Sequence, residues 1–170
     1  PLLARDALDI GASGFGLLMA SLGLGSLAGA LTLAFTGRRP SPRVMLSTAL
    51  LLGVFEIALG LVARLGLTAV VAMVLMAGTG FAMSTTMALA NTTVQTNSPD
   101  WLRGRVMSIY LTVFAGSTPI GAALAGFLSG LWGAPVAVAV GGAVVAVIAL
   151  AIGGRFTQIE RGGEDQAVPG

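Results

Sequence analysis

The chain has 170 residues, 55% of them hydrophobic and 9% charged, with mean hydropathy +0.92 and a formal net charge of +2. Charged residues make up about a quarter of an ordinary soluble domain, so these few charges cannot coat a water-facing surface, and lipid is the solvent that fits. The absence of cysteine and histidine excludes disulfides, zinc sites with Cys or His ligands, thiol catalysis and a Ser-His-Asp triad; every basic residue is an arginine, spread thinly, so the pI near 10.5 marks no nucleic-acid partner.

About 20 mostly apolar residues cross a bilayer as a helix. Residues 1–13 are too short and too polar to do so. They start at Pro1 and lack the basic region and short apolar core of a signal peptide, so the expectation is that the natural N-terminus lies upstream. The first span is predicted over 14–35 and stops at Thr36-Gly37-Arg38-Arg39-Pro40. Within it Ser21, Gly25 and Gly29 recur every four residues and share one helix face. Lipid gives helices no hydrophobic reason to associate, so small side chains that let backbones approach must supply the contact. Such a face serves either static packing or sliding between moving parts. Gly23-Leu24-Gly25-Ser26-Leu27-Ala28 spells a dinucleotide fingerprint, but it sits inside a continuous apolar span where that motif needs a strand-to-helix turn.

The second span is predicted over 44–62, between Pro42 and Arg64. Glu56 near its middle is the only acid inside a span. A carboxylate there is costly and therefore a functional candidate: either a proton-coupling group, or a protonated or partly hydrated side chain bonded to a neighbouring helix. The junction at 63–66 is so short that spans two and three must be antiparallel neighbours. Span three is predicted over 67–96, apolar to Ala90 and then polar through Asn91-Thr92-Thr93-Val94-Gln95. Thr86, Asn91 and Gln95 are cavity-lining candidates, with Asn91 and Gln95 on one face; neutral polar groups in a bundle either line a water-accessible path or bond across helices.

Ser98, Pro99 and Asp100 read as an N-cap, a first-turn proline and a first-turn acid. Asp100 and Arg103 are spaced to pair at i,i+3, and Trp101 suits an interfacial anchor. Span four is predicted over 106–131; Ser117, Gly121, Ala125 and Ser129 recur every four residues on one strip, Ala122, Gly126 and Gly130 do so on the adjoining strip, and Pro119, Gly121, Gly126 and Gly130 are its packing candidates. Gly133 and Pro135 break the chain before span five at 134–152, and residues 155–170 are expected to be a disordered tail. Leu27-Ala28-Gly29-Ala30-Leu31 is echoed by Leu124-Ala125-Gly126-Phe127-Leu128, with the orientation an inverted repeat requires.

Alternation of five spans puts Arg38, Arg39, Arg43, Arg103, Arg105, Arg155 and Arg161 on one side and Arg5 and Arg64 on the other. The positive-inside rule makes the arginine-rich side, including the C-terminus, cytoplasmic.

Ala90-Asn91-Thr92-Thr93-Val94-Gln95, Pro99-Asp100 and Arg103-Gly104-Arg105-Val106-Met107-Ser108 resemble the major facilitator superfamily, most of all its branch of enterobactin, drug and macrolide exporters. Pro1-Leu2-Leu3-Ala4-Arg5-Asp6 and Gly14-Phe15-Gly16-Leu17-Leu18 are similar to that branch's segment from helix seven into helix eight. Gly37-Arg38-Arg39 resembles its basic loop between helices eight and nine, without the acid of the fuller motif, and Pro119-Ile120-Gly121 with Ala125-Gly126 resembles helix eleven. The resemblance implies an all-α integral membrane bundle that is part of a 6+6 fold with alternating access. Residues 1–13 would then be the end of helix seven and its outer loop, and the five spans helices eight to twelve. It also implies a cytoplasmic gate or latch, for which Arg38, Arg39, Asp100, Arg103 and Arg105 are the candidates, and it puts Glu56 on a peripheral helix. The expected protein is not an enzyme and has no cofactor or metal. It is a fragment of a secondary transporter in the bacterial cytoplasmic membrane, a proton-coupled exporter of small hydrophobic molecules. Its expected partners are the bilayer, a missing N-terminal half, a small-molecule substrate and protons. The competing expectation is a non-transporting assembly or regulatory subunit; a membrane enzyme is third.

Overall fold

A computed structural model describes the backbone of residues 11–36, 41–66 and 68–165, and the side chains of 13–36, 41–66 and 68–155. It contains α1 (Gly11–Thr36), α2 (Pro42–Leu65), α3 (Ala69–Asn97), α4 (Arg103–Trp132) and α5 (Ala134–Asp165). All five are long and apolar enough to cross a membrane, and among the described residues there is no strand. The protein is an all-α transmembrane bundle.

The helix ends have local causes. Ser41 is extended, with φ −121° and ψ 131°, and Pro42 opens α2 with its ring already set to a helical φ. Gly66 closes α2 in the left-handed region, at φ 63°, with its N–H donating to the Val62 carbonyl, while Arg64 in the last turn complements the negative end of the helix dipole. Gly133, at φ 85°, joins α4 to α5. Its N–H donates to Ser129 and its carbonyl accepts from Ala137, so one residue closes one helix and opens the next.

Two expectations are corrected here. Ser98 does not cap α4; its hydroxyl donates to the Val94 carbonyl and finishes α3. The Leu102 and Arg103 amides both donate to Pro99, and α4 starts at Arg103, three residues before the predicted start of span four at Val106. Hydropathy excluded Arg103-Gly104-Arg105 from the span, but backbone hydrogen bonding does not require apolar side chains. Likewise α5 continues to Asp165 across residues expected to be a disordered tail. Extending an existing helix needs no new nucleus, and Arg, Gln and Glu are good helix formers.

Packing does not follow chain order. The most extensive contacts join α2 to α5 and α1 to α3; α2 also packs on α3, and α4 touches α5 and, briefly, α3. Glycines set the two close crossings. A Cβ on Gly25 would lie 1.8 Å from the Ala77 carbonyl oxygen, one on Gly80 would lie 2.1 Å from that of Leu22, and one on Gly29 would lie 2.6 Å from that of Phe81. The partners rise together along the chain, so α1 and α3 run parallel with touching backbones. Ser26 Oγ donates across this seam to the Gly80 carbonyl at 3.2 Å. Between α2 and α5 the partners run in opposite senses: Gly53 meets Gly142 and Ala146, and Gly60 meets Pro135 and Ala139. Leu18, Leu59, Val62 and Ala72 form the buried apolar cluster at the junction of α1, α2 and α3. Helix α4 has no buried residue.

Candidate functional site

Helix α3 is rich in neutral polar side chains, from Thr79 to Asn97. Those of Thr79, Thr85, Thr92 and Thr93 bond back to the carbonyl four residues earlier, which satisfies each hydroxyl within its own helix. Thr86 departs from this pattern. Its hydroxyl bonds instead to Thr48 Oγ1 of α2 at 2.9 Å, linking the two helices through neutral groups. Further along, Gln95 donates to the Asn91 side-chain oxygen; Asn91 is half-buried and Gln95 exposed. Thr86, Asn91 and Gln95 therefore lie along the half of α3 nearest the 98–102 turn.

That turn holds the ion pair. Arg103 and Asp100 meet at 2.6 Å, with Asp100 90% exposed. At such exposure a pair contributes about 0–1 kcal/mol, so its geometry can be exchanged for another without unfolding anything. Arg105 is exposed and has no ionic partner among the described residues. Arg38 and Arg39, the other gate candidates, lie outside the described residues.

Glu56 occupies a different place. It is half-buried on α2 and faces α5, where Gly142 and Gly141 leave room for it. A Cβ on Gly142 would be 2.7 Å from the Glu56 Cβ, and one on Gly141 would be 4.0 Å from Oε2. Its carboxyl group has no hydrogen bond or ion pair among the described residues. Glu56 stands eight residues from Thr48, about 12 Å along the helix at 1.5 Å per residue, and so well away from the polar end of α3.

The small-residue candidates divide. Gly25 and Gly29 sit against the α3 backbone, and Ser21 beside them donates to the Leu17 carbonyl of its own helix. Gly121, Gly126 and Gly130 have no neighbouring atom within 4 Å of an added Cβ, and Pro119 is exposed. Among the described helices α4 meets only α5 and, briefly, α3, and these three glycines touch neither. Thr48 and Ser26 were missed from sequence. Each is a hydroxyl inside an apolar span, which is the one signal that marked them as cross-helix donors or acceptors.

Taken together, these are neutral hydrogen-bonding side chains along one half of α3 and one ion pair exposed at its end. Among the described residues no three His, Cys, Asp or Glu side chains cluster to hold a metal. A family model described as transmembrane secretion effector matches residues 1–168. No curated protein and no solved structure matches the chain.

Proposed function

The chain belongs to the transmembrane secretion effector family of the major facilitator superfamily, and we propose on that premise that it supplies helices eight to twelve of a proton-driven exporter. The cargo is a small hydrophobic molecule of the drug, macrolide or siderophore kind, and the membrane is the bacterial cytoplasmic membrane with the C-terminus inside. The observation that carries this is the family match over nearly the whole chain, combined with five bilayer-length helices. Helix seven and a second half of six helices, the latter facing the uncovered side of α4, complete the cavity.

In this reading Thr86, Asn91 and Gln95 line the cytoplasmic half of the path, where neutral donors and acceptors bind solute without the desolvation cost of a fixed charge. Asp100, Arg103 and Arg105, with Arg38 and Arg39, form the cytoplasmic latch. Exchange of ion pairs there biases the inward- and outward-open states by small energies, which suits a gate that must open on every cycle. Glu56 is the one carboxyl within a span. Its setting against α5, apart from the polar end of α3, favours coupling through other groups.

The test is efflux of a fluorescent hydrophobic dye from a pump-deficient bacterial host expressing the whole reading frame. Proton-dependent efflux above the vector control supports the proposal. Normal membrane expression with no transport of any hydrophobic dye, drug or siderophore offered contradicts it and supports an assembly or regulatory subunit.

A further inference from the structure

A second feature lies at the opposite end of the bundle from the 98–102 turn. The last turns of α2 and the first turns of α5 enclose a groove of about 220 Å³, with Gly60, Leu61, Pro135, Ala139 and Ala143 among its walls and Arg64 at one end. The groove has a structural cause. Gly60 lets the α5 backbone come close, so that a Cβ there would lie 2.5 Å from the Pro135 carbonyl oxygen. Pro135, Ala139 and Ala143 recur every four residues and make one smooth strip of α5. The volume exceeds the 150 Å³ cavity that admits benzene, so it holds a run of methylenes.

Arg64 is exposed, lies one helical turn beyond Gly60 and has no ion pair among the described residues. The described carboxylates are elsewhere: Glu56 lies two turns deeper on α2, and Asp100 lies at the other end of the bundle. Helix α5 begins and α2 ends at this side of the groove, so their opposed dipole ends offset each other and the arginine supplies the net charge. The groove is therefore apolar along its length and cationic where the chain leaves the bilayer.

We propose that this groove binds an anionic phospholipid, with an acyl chain along the α2–α5 cleft and the headgroup phosphate on Arg64. A soluble anion gains nothing from the apolar walls. A zwitterionic lipid carries a cation that Arg64 repels. The exposed guanidinium acts on the phosphate as a fixed positive charge, and a single Lys or Arg near an anionic lipid surface gives about a fivefold preference.

Native mass spectrometry of the purified full chain tests this, with dioleoyl phosphatidylglycerol and dioleoyl phosphatidylcholine titrated in parallel and inorganic phosphate in a third arm. The wild type retains phosphatidylglycerol about fivefold better than phosphatidylcholine and ignores phosphate. Arg64→Gln makes the two lipids equal, Arg64→Lys keeps most of the preference, and Ala143→Phe, at an exposed groove position, weakens both lipids by blocking the chain. Undiminished preference in Arg64→Gln, unchanged lipid binding in Ala143→Phe, or phosphate binding as tight as the lipid overturns the proposal. Should Arg64→Gln fail to fold, loss of the preference in Arg64→Lys together with normal lipid retention in Ala143→Phe overturns it equally.

Discussion

The α1–α3 crossing offers the sharpest perturbation, the exchange of Gly25 for alanine. The added methyl would lie 1.8 Å from the Ala77 carbonyl oxygen, 2.6 Å from its carbonyl carbon and 2.8 Å from its Cα. Ordinary contact begins at 3.4 Å, so the helices must separate by about 1.5 Å at this level, and backbone cannot yield as a side-chain tip would. Overpacking a close seam costs about 1–3 kcal/mol; three backbone atoms of one residue in the way place Gly25→Ala at the upper end. That is a roughly hundredfold fall in the folded-to-unfolded ratio. It also corresponds to a fall of about 6–12 °C in Tm for a chain of this size. Gly80→Ala, which strikes Leu22 from the other side at 2.1 Å, costs a similar amount. The double variant costs less than the sum, because helices already parted for one methyl admit the second more cheaply. Gly121→Ala is the control: nothing lies near its Cβ, and alanine's better helix propensity leaves Tm unchanged or slightly raised. Thermal unfolding in detergent, read by size-exclusion chromatography of a fluorescent fusion, measures all four. A Gly25→Ala Tm within about 1 °C of the wild type, on a scale where each 1 kcal/mol shifts Tm by 2–4 °C, refutes the argument that these backbones touch.

Other outcomes follow from single contacts. Thr86→Val removes the bridge to Thr48 and costs about 0.6 kcal/mol, the usual worth of a hydrogen bond between membrane helices, so guided unfolding in mild denaturant should register a small loss that Thr48→Val does not add to. Asp100→Asn leaves Tm within about 2 °C, since an exposed pair contributes under 1 kcal/mol, yet alters the dye efflux rate of the complete transporter; an unchanged rate removes Asp100 from the latch. Glu56→Gln in the complete transporter leaves pH-driven efflux largely intact, and abolished efflux at normal expression would make Glu56 the coupling group.

That the chain forms five helices of bilayer length was legible, because lipid imposes a length and prolines, glycines and arginines mark the interruptions. The Asp100–Arg103 pair was legible for the same reason, being a matter of local spacing. Helix pairing was not. That α1 lies along α3, and α2 along α5, depends on which glycine meets which carbonyl across the bundle; Gly25 and Gly121 each sit in a small-residue repeat of four, while only the first has a neighbour. Ser98 was misread because Ser-Pro-Asp fits the start of one helix as well as the end of another; its bond to Val94 decides the matter only once α3 is seen to extend that far. The groove at Arg64 had no signature, since its walls come from residues about 75 positions apart along the chain.

Five helices of bilayer length that alternate in direction place Ser41 and the 98–102 turn at one end of the bundle and Gly66 and Gly133 at the other. The chain contains no cysteine, so single cysteines can be placed at Ser41, Thr68, Ser98 and Gly133 without removing any. Labelling with a membrane-impermeant maleimide should mark 68 and 133 in intact cells and 41 and 98 only after the membrane is opened. Labelling of 41 and 98 on opposite sides would contradict the threading, and with it the exporter built upon it.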